Sequence, residues 1–218
     1  MSHRKLISKY MHIKQKIQYI FNFFGYDIRY YHPRPFMKFL GRRRGRDLVG
    51  AEVGVWQGKN AFNILKHLSI KKLYLIDPYK KYIGYDSDGT FIVTQKKLSI
   101  AKIKAHRRLS KFKNKIVWIN EFSDTACNKI PEKLDFVYID ANHNYEFVKK
   151  DMENYYSLLK KGGILAGHDI CLLERPGVLF ALTDFIREKK LLYHIDLPDW
   201  IIVDTPNKFM KGIDILRK

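Results

Sequence analysis

Acidic side chains are scarce in this 218-residue chain: 22 Asp and Glu stand against 41 Lys and Arg, a net charge of +19. Cysteine is scarcer still. Cys127 and Cys171 have no metal-ligand spacing and no companions. That excludes a disulfide-stapled fold and leaves reduced thiols of a cytosolic protein as the expectation. No apolar run approaches the length of a transmembrane helix. The basic first residues (Arg4, Lys5, Lys9) lack the apolar stretch and cleavage site of a secretory signal. Internal repeats and low-complexity tracts are absent, and so is the dinucleotide fingerprint G-x-G-x-x-G. With 46% hydrophobic and 14% aromatic residues, the chain is expected to be a packed cytoplasmic domain carrying an appended segment.

What is abundant is positive charge, unevenly placed. Residues 1–50 hold twelve basic and two acidic side chains, a net +10. Such a field attracts phosphate on nucleic acid, anionic lipid or a nucleotide-linked substrate. Leu6, Tyr10, Ile13, Ile17, Ile20, Phe21 and Phe24 recur at helical steps, with Lys5, Lys9, His12 and Lys16 on another face. This predicts an amphipathic helix over 5–24. The prolines of "YYHPRPF" (30–36) break any helix there, and "GRRRGRD" (41–47) reads as a basic loop. Residues 1–46 are therefore expected to be an N-terminal helical arm and 47–218 the domain.

From residue 47 apolar strands alternate with amphipathic helices. The strands are "LVGAEVG", "KLYLID", "KIVWINE", "LDFVYID" and "GGILAGHD", closed by "LLYHIDL" and "WIIVDT" with only "PD" between them. Such a chain is an α/β protein: a doubly wound, mostly parallel, Rossmann-like seven-stranded sheet ending in an antiparallel hairpin. Ligands of these sheets bind at the carboxyl ends of the strands, so the residues just after each strand matter most.

The first strand ends in "AEVGVWQGKN", where Gly54 and Gly58 let the backbone turn beside a ligand and Glu52 precedes them. The second ends in "LIDPY", placing Asp77 to accept from ribose hydroxyls of either NAD or S-adenosylmethionine. Asp140 ends the fourth strand, and His168 and Asp169 end the fifth. Neighbouring strands lie about 5 Å apart, so these three could hold one divalent cation. His143, three residues beyond Asp140, is placed as a general base.

The run E-x-G-x-x-x-G, strand, helix, strand, Asp resembles the cofactor site of class I S-adenosylmethionine-dependent methyltransferases. "AEVGVWQGKNA" and "YIDANHNYEFVKKDMENYYSLLKKGGILAGHD" further resemble the metal-dependent O-methyltransferases that act on macrolide sugars and related glycosides. The resemblance spans about residues 48–203 and rests most on D-x-x-H-x-Y and G-G-x-x-x-x-H-D. It implies Glu52, Gly54, Gly58 and Asp77 at the cofactor, with Ser123 and Asp124 on its adenine side. It further implies Asp140, His168 and Asp169 as metal ligands and His143 as the base. His168 departs from the pattern, which has an acid there; an imidazole suits manganese or another transition metal better than magnesium. The implied acceptor is a small molecule of the glycoside class. RNA as acceptor, an anionic membrane reached through the arm (a peripheral location) and a homo-oligomer stay open as further partners. A non-catalytic binding or membrane-associated protein of methyltransferase-like fold stays open as an alternative.

Overall fold

The computed structural model describes residues 34–43, 47–82, 93–170 and 176–203. Helix α1 (Pro35–Arg43) leads into β1 (Leu48–Val53), α2 (Lys59–His67) and β2 (Ile70–Ile76). After α3 (Gln95–Leu109) come a 3-10 helix, Ser110–Lys115, then β3 (Ile116–Ile119) and the single turn α4 (Ser123–Ala126). The second half runs β4 (Leu134–Ile139), α5 (Tyr145–Tyr156), β5 (Leu159–Gly167), α6 (Gly177–Lys189), β6 (Tyr193–Asp196) and β7 (Asp199–Val203).

The seven strands form one sheet in the order β3-β2-β1-β4-β5-β7-β6. Every pairing among β1 to β5 is parallel, and β7 joins β5 and β6 antiparallel, so the expected sheet and its terminal hairpin are both present. β1 and β4 are buried along their whole length, as near-continuous apolar runs covered on both faces must be. One apolar cluster packs α1, α2 and α3 against one face; another packs α4, α5 and α6 against the other. Chain order reverses between β1 and β4, and the site lies at their carboxyl ends.

The boundary expected at residues 46 and 47 is not where the body begins. Its compact unit starts at Arg34. "PFMKFLGRR", read as part of the arm and of a basic loop, is a helix with Phe36, Met37 and Leu40 buried in the core. Proline is tolerated in a first helical turn, where its missing N–H has no intrahelical partner, so Pro35 opens α1 instead of breaking it. The Phe36 N–H, one of the donors left over at a helix start, is taken by Asp199 Oδ2 of β7 at 3.2 Å. The helix expected at 5–24 and Cys171 lie outside the described residues. Among the described residues no helix is long and apolar enough to cross a membrane.

If α1 belongs to the body, Phe36→Ala should cost about 3–5 kcal/mol in denaturant unfolding, as for a fully buried aromatic. Exposed Lys38→Ala on the same helix should stay within about 0.5 kcal/mol. Equal, small effects would return α1 to the arm.

Candidate functional site

The parallel ladder continues one residue beyond several strands. Gly54 donates to Ile76 O, Asp140 to Val53 O and His168 to Ile139 O, at 2.8–3.0 Å. These bonds set the turn after β1 beside Asp140 and His168. Gly54 has φ +86°, and a Cβ there would fall 2.1 Å from the Asp140 carbonyl oxygen, so no other residue fits this contact.

Asp140, His168 and Asp169 come together as expected, with one ligand atom from each lying within 4.8 Å of the others. Asp169 is also paired twice: Oδ1 lies 2.8 Å from His168 Nδ1 and Oδ2 lies 2.8 Å from His143 Nε2. Burial opposes its ionisation, but the hydrogen bonds from His143 and His168 outweigh burial and hold its pKa well below the ordinary carboxylate range. An ionised carboxylate only accepts, so both imidazoles turn an N–H toward it. The lone pair of neutral His143 is thereby placed on Nδ1. Asp169 itself adopts φ +63°, uncommon for a non-glycine residue.

Two carboxylates and an imidazole are donors that a divalent transition metal accepts. The residues present therefore fit a cation. Tyr145 takes no part: its hydroxyl donates to Asp184 of α6 at 2.9 Å.

On the cofactor side, Glu52 is 1% exposed. Asn60 of α2 donates to its Oε1 at 3.0 Å, while Oε2 has no hydrogen-bond partner among the described residues. Burial, with Asp140 and Asp77 nearby, pushes the Glu52 pKa up to about 8. A buried acid with one orphaned oxygen suits a cationic ligand group, which would return it to the charged form. Gly58 turns at φ +70° into the start of α2. Asp77 is already engaged: Val55 N and Trp56 N donate to Oδ2 at 3.1 and 2.8 Å, and Tyr79 N donates to Oδ1 at 2.8 Å. It braces the turn after β1 and keeps about one of a carboxylate's four acceptor positions for a ligand.

The structure gives Ser123 and Asp124 partners on α5. Ser123 hydrogen-bonds Asp151, and its carbonyl accepts from Tyr155, while Asp124 pairs with Lys150 at 3.0 Å. Their side chains serve packing of α4 on α5.

Sequence reasoning missed Arg34. Its Nη1 donates to Tyr138 Oη at 3.0 Å and its Nη2 to Asp140 Oδ2 at 3.3 Å. Asp199, 0% exposed, lies 3.8 Å from Nη1 and accepts from Tyr138 at 2.9 Å. Burial opposes the arginine's charge, but Tyr138, Asp140 and Asp199 outweigh it and raise its pKa. No signal in "HPRPF" beyond a charge between two prolines pointed to this. Asn142, one of the polar residues crowded into "DANHNY", closes that turn by accepting from Asn144 N and donates to Tyr82 Oη, both at 2.7 Å.

With this geometry in place, comparison with known proteins is informative. A family model described as "Methyltransferase domain" matches residues 51–170, more than half of the chain. The chain belongs to that family and is an S-adenosylmethionine-dependent methyltransferase. No curated protein sequence matches it. Among solved structures it is similar to the O-methyltransferase NovP, at 16% identity and TM-score 0.57, covering 82% of this chain and 80% of that one. An rRNA methylase from Streptococcus thermophilus is 14% identical with TM-score 0.55, covering 78% of this chain and 95% of that one. A Streptococcus mutans protein in complex with SAH is 15% identical with TM-score 0.55, covering 78% and 96%. Likenesses this remote establish the fold.

Between about pH 4.5, the ordinary Glu value, and about 8, folded Glu52 keeps a proton that the unfolded chain has lost. Its contribution to stability must then fall as pH rises through that window, by at most about 1.4 kcal/mol per pH unit. Melting temperatures of the ligand-free protein from pH 5 to 8.5 should decline less steeply in Glu52→Gln than in wild type; parallel slopes would contradict a protonated Glu52. Separately, Arg34→Ala strands Asp199 and Asp140 without their cation and should cost roughly 3–5 kcal/mol in urea unfolding. A loss under about 1 kcal/mol would mean the pairing is a surface contact.

Proposed function

We propose that this chain is a metal-assisted O-methyltransferase acting on one hydroxyl of a small acceptor with neighbouring oxygens, a sugar or glycoside first among them. One observation carries the reading. A three-donor cation cluster and a carboxylate-held imidazole share the strand ends beside the turn after β1.

Asp140, His168 and Asp169 would hold the ion, and a divalent cation supplies Lewis acidity to the acceptor's oxygens. S-adenosylmethionine supplies a methyl group on a sulfonium. His143 takes the acceptor's hydroxyl proton on Nδ1. Asp169 keeps that imidazole in one orientation and offsets the charge it gains, as a carboxylate does behind any histidine base. Glu52 receives the cofactor's cationic amino group through its orphaned oxygen. Gly54 and Gly58 bring main chain close to the cofactor, and Asp77 offers its remaining acceptor position to a ribose hydroxyl. Ser123 and Asp124 border the adenine end through the main chain of α4. The basic composition supports RNA as a second acceptor class, so RNA belongs in the assay.

Methyl transfer from labelled S-adenosylmethionine to glycosides, catechols and RNA, with and without chelator, tests the reading. Asp140→Ala should abolish metal-dependent turnover and any thermal stabilisation by added Mn²⁺. His143→Ala should keep cofactor and metal binding and lose about 10²–10⁴ in turnover. Chelator-insensitive activity together with an active His143→Ala protein would remove both assignments.

A further inference from the structure

The two helical faces of the sheet differ in charge. On the α4, α5 and α6 face acids accompany bases, and surface pairs form: Lys149–Glu188 at 2.5 Å, Lys150–Asp124 at 3.0 Å and Arg187–Asp184 at 2.7 Å. On the other face α1, α2, α3 and the 3-10 helix contain no Asp or Glu at all. A uniformly lysine-rich chain would give two similar faces, so among the described helices the positive charge is concentrated on one side.

Helix α3 is the centre of that side. Leu98, Ala101, Ala105 and Leu109 point into the core, at the steps that one buried helix stripe requires. The outer stripe runs Lys96, Ile100, Ile103 and Arg107, at alternating four- and three-residue steps, with exposed Lys97 and Lys104 beside it. At about 1.5 Å per residue, the stripe is about 16 Å long. Ile100 is 41% exposed and Ile103 is 68% exposed, large aliphatic side chains standing in water between cations.

We propose that this α3 face is a docking surface for an anionic lipid bilayer. Lysines and arginines would meet the headgroup charge while Ile100 and Ile103 enter the boundary with the acyl chains, the arrangement of interfacial amphipathic helices. Exposed isoleucines have no role against a phosphate backbone, which favours lipid over nucleic acid as the occupant. The surface lies on the helical flank of the sheet and not at the strand ends. Docking there is compatible with a small acceptor reaching the site and does not depend on the methyl-transfer reading.

Cosedimentation of the full chain with vesicles tests this. Wild type should bind vesicles of equal parts phosphatidylglycerol and phosphatidylcholine, and not pure phosphatidylcholine. Lys96→Glu/Lys104→Glu/Arg107→Glu should weaken binding at least about tenfold. Ile100→Ser/Ile103→Ser should weaken it about three- to tenfold, with the deficit persisting at high salt where charge attraction is screened. All five side chains are exposed, and circular dichroism checks the fold; Lys104→Glu alone gives the same reading, at smaller size, if the triple variant does not fold. The proposal is overturned if wild type ignores anionic vesicles. It is equally overturned if both variants bind like wild type, leaving the N-terminal segment as the carrier, or if Ile100→Ser/Ile103→Ser binds like wild type while only the charge variant fails, the pattern of a nucleic-acid surface.

Discussion

The hydrogen-bond register of the parallel ladder is the constraint on which the rest of the site depends. Asp140 N bonds to the last carbonyl of β1, His168 N to the last carbonyl of β4, and Gly54 N to the last carbonyl of β2. The residues that follow each strand are therefore placed by main-chain bonds inside a rigid sheet, at the strand spacing of about 5 Å. A one-residue slip of β4 would turn Asp140 to the opposite face and dissolve the cluster. The near contact between Gly54 and the Asp140 carbonyl ties the turn after β1 to the same register. Positioning of this kind is present before any ligand arrives, which is where catalytic sites gain most.

A basic protein has assembled an acidic edge, and its bulk charge does not neutralise that edge. Surface lysines are screened within about 10 Å by salt, so each buried acid needs a local solution. Asp169 is held ionised by two imidazoles; three main-chain amides at Asp77 and Arg34 at Asp199 offset burial only in part, and Arg34 also pairs with Asp140. Glu52 accepts from Asn60 and feels Arg34 at longer range, but burial outweighs both and drives it toward its neutral form. Glu52 is thus a buried acid with an orphaned oxygen, the natural place for a cation from outside. Arg34 restrains Asp140 from the side opposite His168, through Oδ2 and Oδ1 respectively.

The sheet was legible because apolar runs bounded by turn residues leave few alternatives, and the terminal hairpin followed from "PD" between two apolar runs. Asp140, His143, His168 and Asp169 were legible because strand ends in such sheets converge and the residue types at them are unusual for turns. Arg34 and Asp199 were not, since their contacts join positions 106 and 163 residues apart and no periodicity encodes such pairs. Helix α1 was hidden by its own prolines, whose effect reverses between a helix interior and a helix start. Ser123 and Asp124 followed β3 as expected, but which way a single helical turn points its side chains is decided by packing on α5.

Asp169 joins the two halves of the proposed chemistry. It contributes an oxygen to the cluster of possible ligands and also pairs with His143, the proposed base, and it does so from a backbone conformation that side chains usually avoid. A strained residue persists where its surroundings over-determine it, and here two imidazoles do so. Charge withdrawn from this carboxylate on one side weakens its hold on the imidazole on the other, because both act on the same delocalised group. Any cation bound to Asp169 would thereby lower the basicity it lends to His143 while acidifying the acceptor. In the proposed reaction one side chain would thus act on both ends of the proton transfer.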